Sequence, residues 1–149
     1  MKRLLIAFFA VFLTILPAFA DEVEYYAICQ PESHINARRT PKMNGEIVGR
    51  LELGDSVWSD GVKRNGFLHV YGPFESDCWV YAGFLVPEIT VKESEKFIQA
   101  DKVACRRSIN GKRRKWLKEG DRVTVYAFSD DWAITDQGFI MIRFLEGEI

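Results

Sequence analysis

The mature part of this chain carries one succession of residues twice. Arg38-Arg39-Thr40 leads to Asn44-Gly45, then Leu53-Gly54-Asp55, Gly66-Phe67 and Cys78-Trp79-Val80 through Phe84-Leu85; Arg106-Arg107-Ser108 leads to Asn110-Gly111, then Glu119-Gly120-Asp121, Asp131-Trp132 and Gly138-Phe139-Ile140 through Phe144-Leu145. A recurring unit of roughly sixty residues means two copies of one small module, which sets aside most single-domain enzyme folds. Modules of that size bury only about 60% of their unfolded surface, so each copy needs a cross-link or its neighbour for support.

Ahead of the copies, Lys2-Arg3, the apolar run Leu4 to Leu16, Pro17 and Ala18-Phe19-Ala20 form the basic, apolar and small-residue regions of a secretory signal. Residues 1–20 are therefore expected to be cleaved, leaving a periplasmic or secreted protein with no transmembrane anchor. The expected units are 21–91 and 92–149. Three cysteines in an exported chain allow three pairings. Cys105 aligns with Ala37, which reads as a buried core thiol, whereas Cys29 and Cys78 have no cysteine counterpart in the second copy. A Cys29–Cys78 disulfide is the favoured pairing, worth about 4 kcal/mol by loop closure. Its rival is a reactive Cys78 thiol.

Neither copy has a helical period. Arg122 to Ala127 alternates and is rich in β-branched and aromatic types, and Phe67 to Tyr71 and Trp132 to Thr135 are short strand candidates ended by Gly-Pro and Asp-Gln-Gly. Asn-Gly and Gly-Asp pairs supply turn chemistry. The charged, glycine-free stretch Pro87 to Lys96 does not read as a floppy linker. The first strands are expected at Tyr25 to Gln30 and Phe97 to Val103. An all-β chain of short strands follows, in small barrels or sandwiches.

Asn36-Ala37-Arg38 in a long loop, the Gly-Asp turn before a strand, the aromatic strand start at Phe67 and the closing segment to Phe-Leu resemble the bacterial SH3-like (SH3b) domain. The match runs from the arginine pair to the terminal leucine in both copies. The resemblance implies two tandem small SH3-like β-barrels and a cell-envelope target. The family's closing Gly-Trp-Val stands here as Cys78-Trp79-Val80 and Gly138-Phe139-Ile140, and the proline after the loop arginine survives only as Pro41.

Catalysis would need a nucleophile with a base, paired carboxylates or a metal cluster. The two histidines, His34 and His69, read as ordinary solvated residues, and no close Cys or His pair has the spacing of a zinc site. A non-catalytic protein with no cofactor and no metal is expected. Residues 21–91 hold 6 basic and 11 acidic residues, whereas residues 101–149 hold 10 and 8. The basic surplus sits around the long loop of the second copy, where it can attract anions; nucleic acid is not an expected partner of an exported chain. Arg38, Arg39, Arg106, Arg107, Arg113 and Arg114 are the candidate anion contacts, and Tyr71, Trp79 and Trp132 the candidate stacking surfaces. The expected function is binding of a cell-envelope target, either peptidoglycan peptide or a wall-associated protein. The alternative is an inhibitor or immunity-like protein that blocks a periplasmic partner.

Overall fold

The computed structural model describes residues 22–74 and 76–147. The expected signal segment, residues 1–20, lies outside them. The described residues are all-β, as their pattern predicts. The first copy contains β1 (Val23–Ala27), β2 (Ile35–Arg38), β3 (Ile47–Leu51), β4 (Ser56–Ser59), β5 (Lys63–Arg64), β6 (Phe67–Val70), β7 (Cys78–Tyr81) and β8 (Leu85–Val86), with a 3-10 turn at Ala82–Phe84. The second contains β9 (Thr90–Phe97), β10 (Val103–Arg106), β11 (Arg113–Leu117), β12 (Arg122–Phe128), β13 (Trp132–Thr135) and β14 (Gly138–Met141), with a 3-10 turn at Ile142–Phe144.

The repeat is one of topology as well as sequence. The second copy forms one sheet in the order β11-β10-β14-β13-β12-β9. In the first, β3-β2-β7-β6 and β4-β1 fall in separate sheets that meet at the Trp58–Tyr71 bridge, giving the same spatial order. Each copy then brings its last segment back to its first strand, through Ala27–Leu85 in one and Ile98–Leu145 in the other. The ladders do not join into a closed ring; the 3-10 turn carries the chain across the gap.

The matching turns have matching causes. Asp55 accepts the Glu52 N–H at 2.7 Å, and Asp121 accepts the Lys118 N–H at 2.9 Å. Gly54 and Gly120, at φ +86° and +84°, supply the left-handed step before each aspartate. The opening strand of the second copy departs from expectation. Thr90 to Phe97 forms β9, upstream of the first strand expected at Phe97 to Val103, and it pairs with β12, with Lys96, Glu95 and Ser94 opposite Val123, Thr124 and Val125. Thr90 and Val91 therefore pair with the second copy, ahead of the expected boundary. Phe97 ends this strand rather than starting one.

Each copy has its own core. Ile35, Leu51, Val57, Leu68, Val70 and Val80 fill the first, and Val103, Val123, Val125, Ile140 and Leu145 the second. A third cluster joins them: Ile28 and Val86 from the first copy against Ala127, Ile134 and Phe139 from the second. Fully burying one such large side chain contributes about 1.5–3 kcal/mol, so the seam supplies the mutual support that modules this small require.

No disulfide forms. Cys29, Cys78 and Cys105 are buried free thiols, which corrects the expected Cys29–Cys78 bond. Cys29 and Cys78 do share the first core, but the Cys29 Sγ is directed at the Ser33 carbonyl, 4.0 Å away, and Cys78 is wholly covered in its strand.

Candidate functional site

The seam between the copies holds a cleft of about 210 Å³ with a basic rim and an apolar floor. Phe84 and Ile35 from the first copy and Ile134 and Phe139 from the second line the floor, while His34, Arg106, Arg107 and Arg114 stand on the rim. The two sides are fastened by polar contacts: Gln30 Nε2 donates to the carbonyls of Thr135 at 2.9 Å and Asp136 at 3.1 Å, and the Ile109 N–H donates to the Gly83 carbonyl at 3.0 Å. Gly138, at φ +133°, opens β14 beneath the rim. A Cβ there would lie 2.7 Å from the Arg106 carbonyl oxygen and 2.8 Å from the Cys105 Sγ, so only glycine lets β14 approach β10 this closely.

The loop arginines divide by role. Arg38 and Arg106 occupy equivalent places and brace their loops from within, donating to the carbonyls of Gly45 at 2.8 Å and Gly111 at 2.9 Å. Arg39 and Arg107 are also equivalent, since their N–H groups donate to the carbonyls of Glu46 and Lys112 respectively. The side chains at those two partner positions have opposite charge. Arg39 Nε meets Glu46 at 2.6 Å, an exposed ion pair that holds the Glu46 carboxyl below its usual range. Arg107 has Lys112 instead, and among the described residues no ion pair involves Arg106, Arg107 or Arg114. Among the described residues Arg114 hydrogen-bonds only to the Gln137 carbonyl, at 3.5 Å. Asp136, next to Gln137, already accepts the Thr124 N–H and the Gln137 side chain. The cleft thus offers uncompensated guanidinium donors over an apolar floor, which suits a ligand with a carboxylate or phosphate at one end and an apolar body.

The other expected contacts lie elsewhere. Arg113 stacks on the exposed Trp116, with its Cζ 4.4 Å from the ring centre. Trp132 is not a free stacking surface, because it packs half-buried against the seam cluster. Tyr71 and Trp79 flank His69 in the first copy, each with a ring-to-ring distance of 4.9 Å.

His69 itself was read as an ordinary solvated side chain, and the structure corrects this. Its Nδ1 lies 3.1 Å from Asp60 and its Nε2 3.4 Å from Asp77, while the Tyr71 hydroxyl donates to Asp60 at 2.8 Å. Partial burial opposes ionisation of Asp60, but hydrogen bonds from the Val62 N–H, Tyr71 and His69 prevail and its pKa is lowered. The same contact with Asp60, aided by desolvation, pushes Tyr71 up to about 12. Each His69 ring nitrogen faces a carboxylate, and among the described residues neither is hydrogen-bonded to a hydroxyl or a thiol. Burial raises all three thiols, to about 11 for Cys29 and for Cys78, which makes them poor nucleophiles.

Register explains why this face differs between the copies. His69 pairs with Trp79 where Ile134 pairs with Phe139. In the second copy this position closes on the first copy, with Phe84 and Phe139 ring centres 6.0 Å apart. In the first copy it carries polar and aromatic groups and remains half-exposed.

No protein-family model matches the chain, and no curated protein matches it. Two solved structures from Trichomonas vaginalis overlay on it: NlpC1, at TM-score 0.41 and 16% identity over 93% of this chain, and NlpC2, at 0.40 and 16% over 88%. This chain spans 50% of the length of each. At those scores the likeness assigns neither a family nor an activity.

Proposed function

We propose that the protein is an exported, non-catalytic binding module whose seam cleft takes an anionic group of a cell-envelope target, with peptidoglycan peptide as the leading candidate. One observation carries the reading: Arg107 and Arg114 stand uncompensated over the floor formed by Phe84, Ile134 and Phe139. Wall peptides present carboxylates next to short apolar side chains, which is the combination the cleft would accept. The test is co-sedimentation with purified peptidoglycan, comparing the wild type with Arg107→Glu/Arg114→Glu. Pelleting of the wild type that the double variant loses supports the reading. Wild-type protein left wholly in the supernatant sinks it.

A second reading, an inhibitor-like protein that blocks a periplasmic partner, is favoured by the His69–Tyr71–Trp79 face, whose equivalent in the second copy already serves as a protein-contact surface. It predicts a one-to-one complex that survives salt and is lost on Trp79→Ala. Wall binding through arginines weakens as salt screens it.

A further inference from the structure

The strand that most separates the copies is the edge strand β11. Register aligns Ile47 with Arg113, the bulged Val48 with Arg114, Gly49 with Lys115, Arg50 with Trp116 and Leu51 with Leu117. Across residues 46–52 the first copy reads Glu-Ile-Val-Gly-Arg-Leu-Glu, a net charge of −1; across 112–118 the second reads Lys-Arg-Arg-Lys-Trp-Leu-Lys, a net charge of +5. In the first copy Phe74 covers this strip, lying so close over Gly49 that a Cβ there would overlap its ring. In the second copy the strip is bare: Arg113 to Trp116 are all exposed, and β11 ends its sheet with no further strand beside it.

Trp116 is 46% exposed, an uncommon state for an indole. Lys102 Nζ lies 4.3 Å from its ring centre and Arg113 Cζ 4.4 Å, so two cations from different strand ends gather on one aromatic surface. Neither forms an ion pair among the described residues. Lys115 contacts Gln137, and Lys112 and Lys118 extend the charge at either end of the strand. The only carboxylates next to this face in sequence are Asp101, Glu119 and Asp121, at the adjoining turns.

We propose that this face, with Trp116 at its centre and Lys102 and Arg113 stacked on its ring, seats the protein on an anionic phospholipid surface. A soluble anion would satisfy the cations but leave the indole in water. A headgroup layer satisfies both, because tryptophan sits at headgroup depth and each nearby lysine or arginine gains about 1 kcal/mol from an anionic leaflet. The proposal is independent of the seam cleft, whose lining includes none of Lys102, Arg113 and Trp116.

The experiment is sedimentation of purified protein with vesicles of mixed phosphatidylglycerol and phosphatidylcholine, against pure phosphatidylcholine, at low ionic strength. Binding is expected to the anionic vesicles alone. Lys102→Glu/Arg113→Glu should weaken it by at least about tenfold, and Trp116→Ala severalfold with the salt dependence retained. Arg64→Glu, which removes a cation from the first copy, should leave it nearly unchanged. Brominated lipid should quench wild-type fluorescence more than that of Trp116→Phe, a comparison that survives even if the charge reversal impairs folding. Absence of binding to anionic vesicles, equal binding to neutral ones, or equal losses in Lys102→Glu/Arg113→Glu and Arg64→Glu would overturn the proposal. So would release by inorganic phosphate well beyond that by chloride at matched ionic strength, which would mark a site for free phosphate.

Discussion

Phe84 of the first copy and Phe139 of the second meet across the seam with ring centres 6.0 Å apart and planes inclined by 47°. The contact joins the 3-10 turn that ends one copy to the strand that floors the cleft in the other, so one pair of rings serves both mutual support and ligand-site shape. Phe84→Ala should therefore cost about 2 kcal/mol, below the range for a fully buried phenylalanine because Phe84 is only half-buried. The loss is read from denaturant midpoints. Wall pelleting should fall with it, although no charged group has changed.

Lys112→Glu tests the uncompensated arginine directly. The substitution places a carboxylate where Glu46 sits in the first copy, and Arg107 should then form the counterpart of the 2.6 Å Arg39–Glu46 pair. Affinity for anionic wall fragments should drop roughly tenfold or more, since a hydrogen bond to a charged group contributes about 1.5–3 kcal/mol. Stability should stay within about 0.5 kcal/mol, as expected for an exposed site. Titration calorimetry with soluble wall peptides, alongside thermal melts, separates the two effects. An unchanged affinity would remove Arg107 from the site.

The buried thiols give the protein an alkaline limit. Burial, aided for Cys29 by the charges of Asp55 and Glu52 and for Cys78 by Asp77, lifts both thiols to about 11 from an ordinary 9.0. The unfolded chain therefore loses these protons first. The thiols' contribution is fully present below about pH 9 and falls away as pH rises towards 11. Denaturant midpoints at about pH 8 and about pH 10 should show this loss in wild type and less of it in Cys29→Ser/Cys78→Ala. Iodoacetamide should leave the native thiols largely unmodified near neutral pH and label all three once the chain unfolds.

Much of the fold was legible because local chemistry determines it. The Gly54-Asp55 and Gly120-Asp121 turns need glycine at positive φ and a carboxylate to receive a turn N–H, and both requirements show in the sequence. The alternation of Arg122 to Ala127 likewise reports a half-buried strand. β9 was missed because its partner, β12, lies about thirty residues away and supplies the apolar contacts that Lys92 to Lys96 lack on their own. The site was half legible. Charge clustering picked out Arg106, Arg107 and Arg114, but a linear charge count cannot separate an arginine that braces its own loop from one that faces a cleft. His69 gave no signal at all, because Asp60 and Asp77 reach it through strand pairing and a loop, and nothing in their spacing marks the convergence. Aligning the copies by charge would have exposed the Glu46-to-Lys112 change.

Asp60→Asn should uncouple the cluster on the first copy. Asp60 accepts from the Val62 N–H at 3.0 Å, from Tyr71 at 2.8 Å and faces His69 at 3.1 Å, and those contacts favour its ionised form despite partial burial. A carboxyl whose folded pKa is lowered stabilises the protein above its unfolded pKa, near 3.9, and that stabilisation disappears as pH falls through the folded value. Wild type should therefore lose stability on acidification below about pH 4, and Asp60→Asn should lack that component. Near neutral pH the variant should be less stable by about 1–2 kcal/mol, the cost of weakening hydrogen bonds to a charged acceptor. Tyrosinate absorbance gives a second readout. Tyr71, held up to about 12 chiefly by its bond to Asp60, should ionise closer to the ordinary 10.0 in the variant. If the tyrosine titration is superimposable in the two proteins, the 2.8 Å contact does not govern Tyr71, and this face is not the rigid polar surface that a protein partner would need.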